Sequence, residues 1–229
     1  MKIKILVVAA ATVVASSAMA QSAFQGAYGQ IGIGYENNSV KSNNSTVTGP
    51  ASDPGTENVG STTFSGGSFS GSIGLGYGFS VSKDFLITLG ADYSPLTANT
   101  ATKSSCDPED GCSNDKFKVS NRYNIFIAPG YVIDKNKLAY FKAGYSAQTV
   151  QASGDLGSAV GNPSKNLSGY VLGLGYKQIV SGGFYGFAEG NYMNYSSSTL
   201  SGTSANGYTV SSQVPATAYQ FLIGVGYKF

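Results

Sequence analysis

The sequence has no tryptophan and no histidine, 7 prolines, 2 cysteines and only 11% charged residues. So few charges, against about 25% in a typical soluble domain, exclude an ordinary solvated enzyme. Long apolar runs are missing as well. Past the leader none approaches the roughly 20 residues that a transmembrane helix needs, which excludes a helical membrane protein. Without histidine the chain lacks the commonest general acid and base. No basic block occurs, so nucleic acid is not an expected partner. What is abundant instead is glycine, at 31, and tyrosine, at 16. That composition suits extended strands facing something other than water.

The N-terminus reads as an export signal. Lys2 and Lys4 precede an apolar run over residues 5–15, and Ala18-Met19-Ala20 supplies the small-x-small pattern of a signal peptidase site. The chain thus divides into a signal peptide, 1–20, and one domain, 21–229. Losing the two lysines leaves twelve basic residues against twelve acidic ones, a neutral mature protein. Export leads to an oxidising compartment, where Cys106 and Cys112, bracketing a turn-rich Asp107-Pro108-Glu109-Asp110-Gly111, are expected to form a local disulfide. Asp107, Glu109 and Asp110 offer hard oxygens for calcium, but their spacing does not fit an EF-hand loop. No metal and no cofactor is expected.

Segments 26–35, 68–79, 85–93, 117–133, 138–150, 167–179, 184–195 and 216–229 alternate with period two. In the second, Phe69, Ile73, Leu75, Tyr77 and Phe79 share one face, with serines and glycines on the other. Such alternation predicts strands, and no apolar residues recur at i, i+3 and i+4 as in a helix. Connections alternate too. Segments 37–66, 96–116, 151–166 and 196–214 are long and rich in Ser, Thr, Asn and Gly. Tight turns at 81–84, 134–137 and 180–183 lie between them. An even strand number with long loops at one end and tight turns at the other predicts an all-β, eight-stranded antiparallel up-and-down transmembrane β-barrel. Both termini fall at the short-turn, periplasmic end.

Lipid cannot satisfy a sheet edge, so a spanning sheet must close on itself. The outward face is assigned to residues such as Ile31, Phe69, Leu75, Ile125, Leu174 and Ile223. Tyrosines stand in for tryptophan in two interfacial belts. Tyr77, Tyr131 and Tyr227 mark the inner belt; Tyr35, Tyr93, Tyr145, Tyr192 and Tyr219 mark the outer. Alternation alone would also fit a soluble lipocalin-like barrel, apolar inside. The belts, the loop asymmetry and the terminal Phe229 favour the membrane.

The last segment, Tyr219-Gln220-Phe221-Leu222-Ile223-Gly224-Val225-Gly226-Tyr227-Lys228-Phe229, ends in aromatic-x-Phe with apolar residues at every second position. It resembles the C-terminal signal read by the outer-membrane barrel assembly machinery, with Gly224, Tyr227 and Phe229 as its marks. Leu222 departs from the polar residue usual there. With the leader and eight strands, the whole chain resembles the small barrels of the opacity-protein and outer-membrane-protein-A-like group. The resemblance implies residence in the cell outer membrane. The implied partners are outer-membrane lipid and lipopolysaccharide, the assembly machinery, and an extracellular ligand met through the loops. No peptidoglycan-binding domain follows Phe229, so a cell-wall anchoring role does not carry over.

An eight-stranded barrel is just wide enough for side chains to fill. The glycines at 32–35, 74–77, 173–176 and 224–227 alternate within strands, unlike a nucleotide-binding loop that opens a helix. They are assigned to the lumen, opposite Tyr28, Tyr140, Tyr185 and Phe187. Above this apolar zone lie Asp92, Arg122, Lys142 and Glu189. Such charges in a narrow lumen require partners, and matched heights predict the pairs Asp92–Arg122 and Lys142–Glu189. The cluster reads as a static network or, alternatively, as the gate of a narrow, porin-like channel for ions or small solutes. Catalysis is not expected: barrel enzymes of this membrane rely on histidine, and no serine here has a recognisable base. The remaining class is a structural or surface-exposed role, with adhesion or ligand contact through the long polar loops.

Overall fold

The computed structural model describes residues 22–107 and 111–229. The leader assigned to residues 1–20, and the acidic side chains of the 107–111 turn, lie outside the described residues. Eight long strands run Gly26–Thr48 (β1), Thr62–Ser80 (β2), Phe85–Ser94 (β3), Gly111–Asp134 (β4), Lys137–Gly154 (β5), Ser164–Ser181 (β6), Phe184–Tyr195 (β7) and Ala216–Lys228 (β8). Each pairs antiparallel with the next, and β1 also pairs with β8, from Tyr28↔Lys228 to Val40↔Ala216, closing the ring. No helix among the described residues is long and apolar enough to cross a membrane; the strands do the crossing.

Alternation places the side chains as the pattern requires. Ile31, Phe69, Leu75, Ile125, Leu174 and Ile223 are exposed on the outer wall, Phe69 at 61%. Their environment is hydrocarbon. The inner belt is a set of ring contacts: Phe85–Tyr131 at 5.3 Å, Phe184–Tyr227 at 4.8 Å and Tyr227–Phe229 at 5.1 Å. The outer belt is likewise Tyr123–Tyr145 at 6.2 Å, Tyr170–Tyr192 at 6.3 Å and Tyr192–Tyr219 at 5.0 Å. From Tyr219 to Tyr227 the strand covers about 27 Å at ~3.4 Å per residue. With the usual tilt that is about 20 Å of height, close to the apolar band of such barrels.

The long connections differ from expectation. Of 37–66, the first part continues β1 to Thr48 and the last part already belongs to β2; β4 starts at Gly111 and β5 runs to Gly154. Further short strands, Thr56–Val59, Ala98–Asn99, Lys103–Asp107, Thr199–Thr203 and Thr209–Gln213, and a short helix, Asp155–Ala159, complete this end. The barrel therefore rises past the outer tyrosine belt. Above the lipid a strand's outer face meets water, so Asn37, Ser39, Lys41 and Lys118 sit there comfortably, and the sequence loses the apolar half of its alternation. Polar on both faces, such strands resemble loops when only the pattern is read.

Candidate functional site: the sealed lumen and its charge network

The lumen has three zones rather than two. The lower zone is apolar. Phe24, Leu86, Phe126, Leu138 and Tyr140 form one buried cluster, and Tyr28, Tyr185, Phe187 and Leu222 another. Inward glycines make room for these rings. A Cβ at Gly76 would lie 2.7 Å from the Tyr28 hydroxyl, and one at Gly90 2.6 Å from the Phe126 ring; Gly175 and Gly226 are pressed closer still by Tyr140 and Tyr185. The glycine tetrads thus serve packing, as their in-strand alternation suggests.

The middle zone holds the charges. Lys142, on β5 and 1% exposed, donates to Asp92 Oδ2 at 2.6 Å and Glu189 Oε1 at 3.0 Å, and its Nζ lies 4.3 Å from the Phe126 ring centroid. Asn124 donates to Asp92, while Tyr140 and Asn191 donate to Glu189. Arg122, on β4, reaches instead to Glu36 on β1: Nη1 donates to Glu36 Oε2 at 2.6 Å, Nη2 to Asn38 at 2.6 Å, and both Nε and Nη2 to Gln148. Glu36 accepts further bonds from Asn38, Ser70 and Gln220. Asn191 and Gln220 are bonded to one another, so the two ion clusters form one network.

Two expectations meet the coordinates differently. The Lys142–Glu189 pair is present. The Asp92–Arg122 pair is not: on the ladder Asp92 stands opposite Asn124, and Arg122 opposite Ser94. Arg122 is therefore one inward step higher than Asp92, and across the lumen it meets Glu36. The β3–β4 ladder is regular through this stretch, so the height follows from counting alone: Arg122 is two residues past Asn124. The β-bulge between Ser120 and Tyr123, with Asn121 at φ 51, lies just above it in the pairing with β5.

Sequence reasoning missed two members. Glu36 continues the inward series Tyr28, Gln30, Gly32, Gly34 by one step, past the point where β1 was ended. Lys177 continues Gly173 and Gly175. Its Nζ makes no ion pair among the described residues and lies 3.8, 4.9 and 5.5 Å from the ring centroids of Tyr28, Tyr185 and Tyr140. With both included, Glu36, Asp92 and Glu189 balance Arg122, Lys142 and Lys177. The set is balanced in number, as buried charges require, while Asn124 Oδ1, Gln148 Nε2 and Asn191 Oδ1 are buried there without a hydrogen-bond partner among the described residues.

The third zone, not expected, is a second apolar plug above the network. Val40, Val171, Met193, Tyr195 and Ala218 are fully or almost fully buried there, capped by Phe64, Phe117 and Leu200. The charges are thus closed off from both ends.

A family model described as the outer membrane protein beta-barrel domain matches residues 6–229. The chain belongs to that family. Its place is the cell outer membrane. Among solved structures it is similar to the outer membrane protease OmpT of Escherichia coli, at 9% identity and TM-score 0.55, over 93% of this chain and 100% of that one. It also matches Ail, the attachment invasion locus protein of Yersinia pestis, at 15% identity and TM-score 0.41, over 90% and 100%. Neisserial surface protein A matches at 16% identity and TM-score 0.37, again over 90% and 100%. At these identities the likeness concerns the fold alone. No curated protein matches the chain.

In this outer-membrane barrel the remaining site residues sit at its two ends. Cys106 and Cys112 face each other across the ribbon that joins Lys103–Asp107 to the start of β4, and they are disulfide-bonded. Among the described residues no His/Cys/Asp/Glu cluster could hold a metal. At the other end, Gly224 lies under the Phe187 ring, Tyr227 is held between Phe184 and Phe229, and the Phe229 amide donates to the Ala27 carbonyl at 2.9 Å. Leu222 fills the lower plug beside Tyr185 and Phe187, a packing reason for an apolar residue where the assembly signal usually has a polar one.

Proposed function

We propose that this protein is a non-conducting, non-catalytic outer-membrane barrel that carries a raised, ordered rim for contact with ligands outside the cell. The observation behind this reading is the continuation of β1, β4 and β5 beyond the outer tyrosine belt into paired ribbons. Tips far apart in sequence are tied there: Tyr208 donates to Asp53, whose carboxylate holds the phenol above its ordinary pKa. Binding sites are commonly built from connections held on a rigid scaffold. The C-terminal strand, through Gly224, Tyr227 and Phe229, is in this proposal the segment read by the assembly machinery, and lipid with lipopolysaccharide surrounds the wall.

The test is binding of intact cells to a host or environmental surface, comparing wild type with variants whose tips at 49–60 and 204–208 are cut to short turns. Variants that still shift mobility on heating in detergent are inserted barrels. The proposal expects them to lose binding; undiminished binding overturns it. The alternative is a narrow channel gated by the charge network. Two apolar plugs, above and below, weigh against it. In planar bilayers both wild type and Arg122→Ala are expected to remain at baseline where a known porin conducts. Single-channel steps in either would put the gated channel in its place.

A further inference from the structure

The ribbons enclose a cup of about 490 Å³ on top of the upper plug, a volume within the range of small-molecule sites. Its floor is Phe64, Phe117 and Leu200. The two rings meet edge to face at 5.1 Å, so ring surface remains turned to the cup. One side is hydroxylic: Ser42, Ser45 and Ser212 bond to each other at 2.8–3.0 Å. These hydroxyls satisfy one another and demand no polar ligand.

The lining of the cup carries two cations, Lys103 and Lys116, against one anion, Asp115. Asp115 accepts from the Leu156 amide at the start of the short helix and keeps its charge, and Lys103, opposite it on the ladder, makes no ion pair among the described residues. The Lys103 ammonium stands 5.8 Å from the centroid of the Phe64 ring, directly over the apolar floor. Lys116 also lines the cup. A cation above an aromatic floor, in a recess sealed beneath, matches a molecule with an apolar body and one anionic head.

We propose that the cup binds small amphipathic carboxylates from the external medium, with aromatic acids seated ring-down on Phe64 and Phe117 and the carboxylate against Lys103. The floor is continuous with the buried plug, so the ligand is held rather than passed. The cup lies above the outer tyrosine belt and draws on dissolved molecules rather than acyl chains. This site is independent of whether the rim binds cells.

The test uses the full-length mature protein in nanodiscs, with empty nanodiscs subtracted, and saturation-transfer NMR with 4-phenylbutyrate, 4-phenyl-1-butanol and 4-phenylbutylamine. The acid is expected to bind most tightly and the amine least. Lys103→Glu should weaken the acid about fivefold or more, the scale of losing one accessible ion pair and adding a like charge, and strengthen the amine. Leu156→Trp, which fills the cup from an exposed helix position, should remove binding of all three while heat-shifted mobility is unchanged. Equal affinity for acid and alcohol, or indifference to Lys103→Glu, overturns the carboxylate assignment. Absence of binding in wild type, or its persistence in the folded Leu156→Trp variant, overturns the site.

Discussion

Replacing Lys142 with methionine is expected to destabilise the barrel by about 3–5 kcal/mol, the cost of leaving a buried charge without its partner. Among the described residues, Lys142 is the one cation ion-paired with Asp92 and Glu189. Without it, two carboxylates face each other across a lumen that apolar plugs close above and below. Asn124, Tyr140 and Asn191 would still donate to them, but neutral donors do not cancel two negative charges. Methionine keeps most of the volume and its contact with Phe126, so the loss reports charge rather than packing. Urea unfolding in lipid vesicles, followed by gel mobility, reads the effect. Adding Asp92→Asn to Lys142→Met should recover most of the loss, because Glu36 and Glu189 then again match Arg122 and Lys177 in number. A single-variant loss below about 1 kcal/mol would mean that water reaches these groups.

The second large effect lies one layer lower. Gly175→Ala should cost about 1–3 kcal/mol, the usual range for overpacking a tight core, and Gly175→Val should block folding. The Tyr140 ring rests on Gly175, and it cannot swing aside freely. Its hydroxyl is bound to Glu189 at 2.6 Å, and its face lies against the Lys177 ammonium. Gly190 is the control. It lies on the outer wall of β7 with nothing within 4 Å of a new Cβ, so Gly190→Ala should be neutral or mildly stabilising. Equal behaviour of the two alanine variants in refolding yield and urea midpoint would contradict the assignment of Gly175 to the packed lumen.

Both expectations rest on a side-chain alternation that was legible before any coordinates. Within the hydrocarbon zone one face must be apolar, so residues such as Phe69, Ile73 and Leu75 mark their strand and its direction. The same rule set the inward positions of Tyr28, Phe126, Tyr185 and Phe187. Outside that zone the rule lapses. β1 beyond Tyr35 carries Asn37, Ser39 and Lys41 on its outer face, and no apolar period announces it. Glu36 and the upper plug at Val40 were hidden for this reason. The pairing of Arg122 was illegible for a different one. Ladder heights can be counted from turns, but partners in a filled lumen meet across the axis, so Arg122, one inward step above Asp92, pairs with Glu36 on β1. Lys177 was within reach of the pattern, two residues past Gly175 on the inward face of β6.

The central claim is which face of each strand meets lipid. Single cysteines placed along β8 in a Cys106→Ser, Cys112→Ser background, spin-labelled in bilayers, measure it through accessibility to oxygen and to a water-soluble nickel chelate. Labels at Phe221, Ile223 and Val225 should show the high oxygen and low chelate accessibility of acyl chains, while labels at Ala218 and Leu222 should be shielded from both. The opposite alternation, with Leu222 reached from the lipid phase and Ile223 protected, would contradict the account.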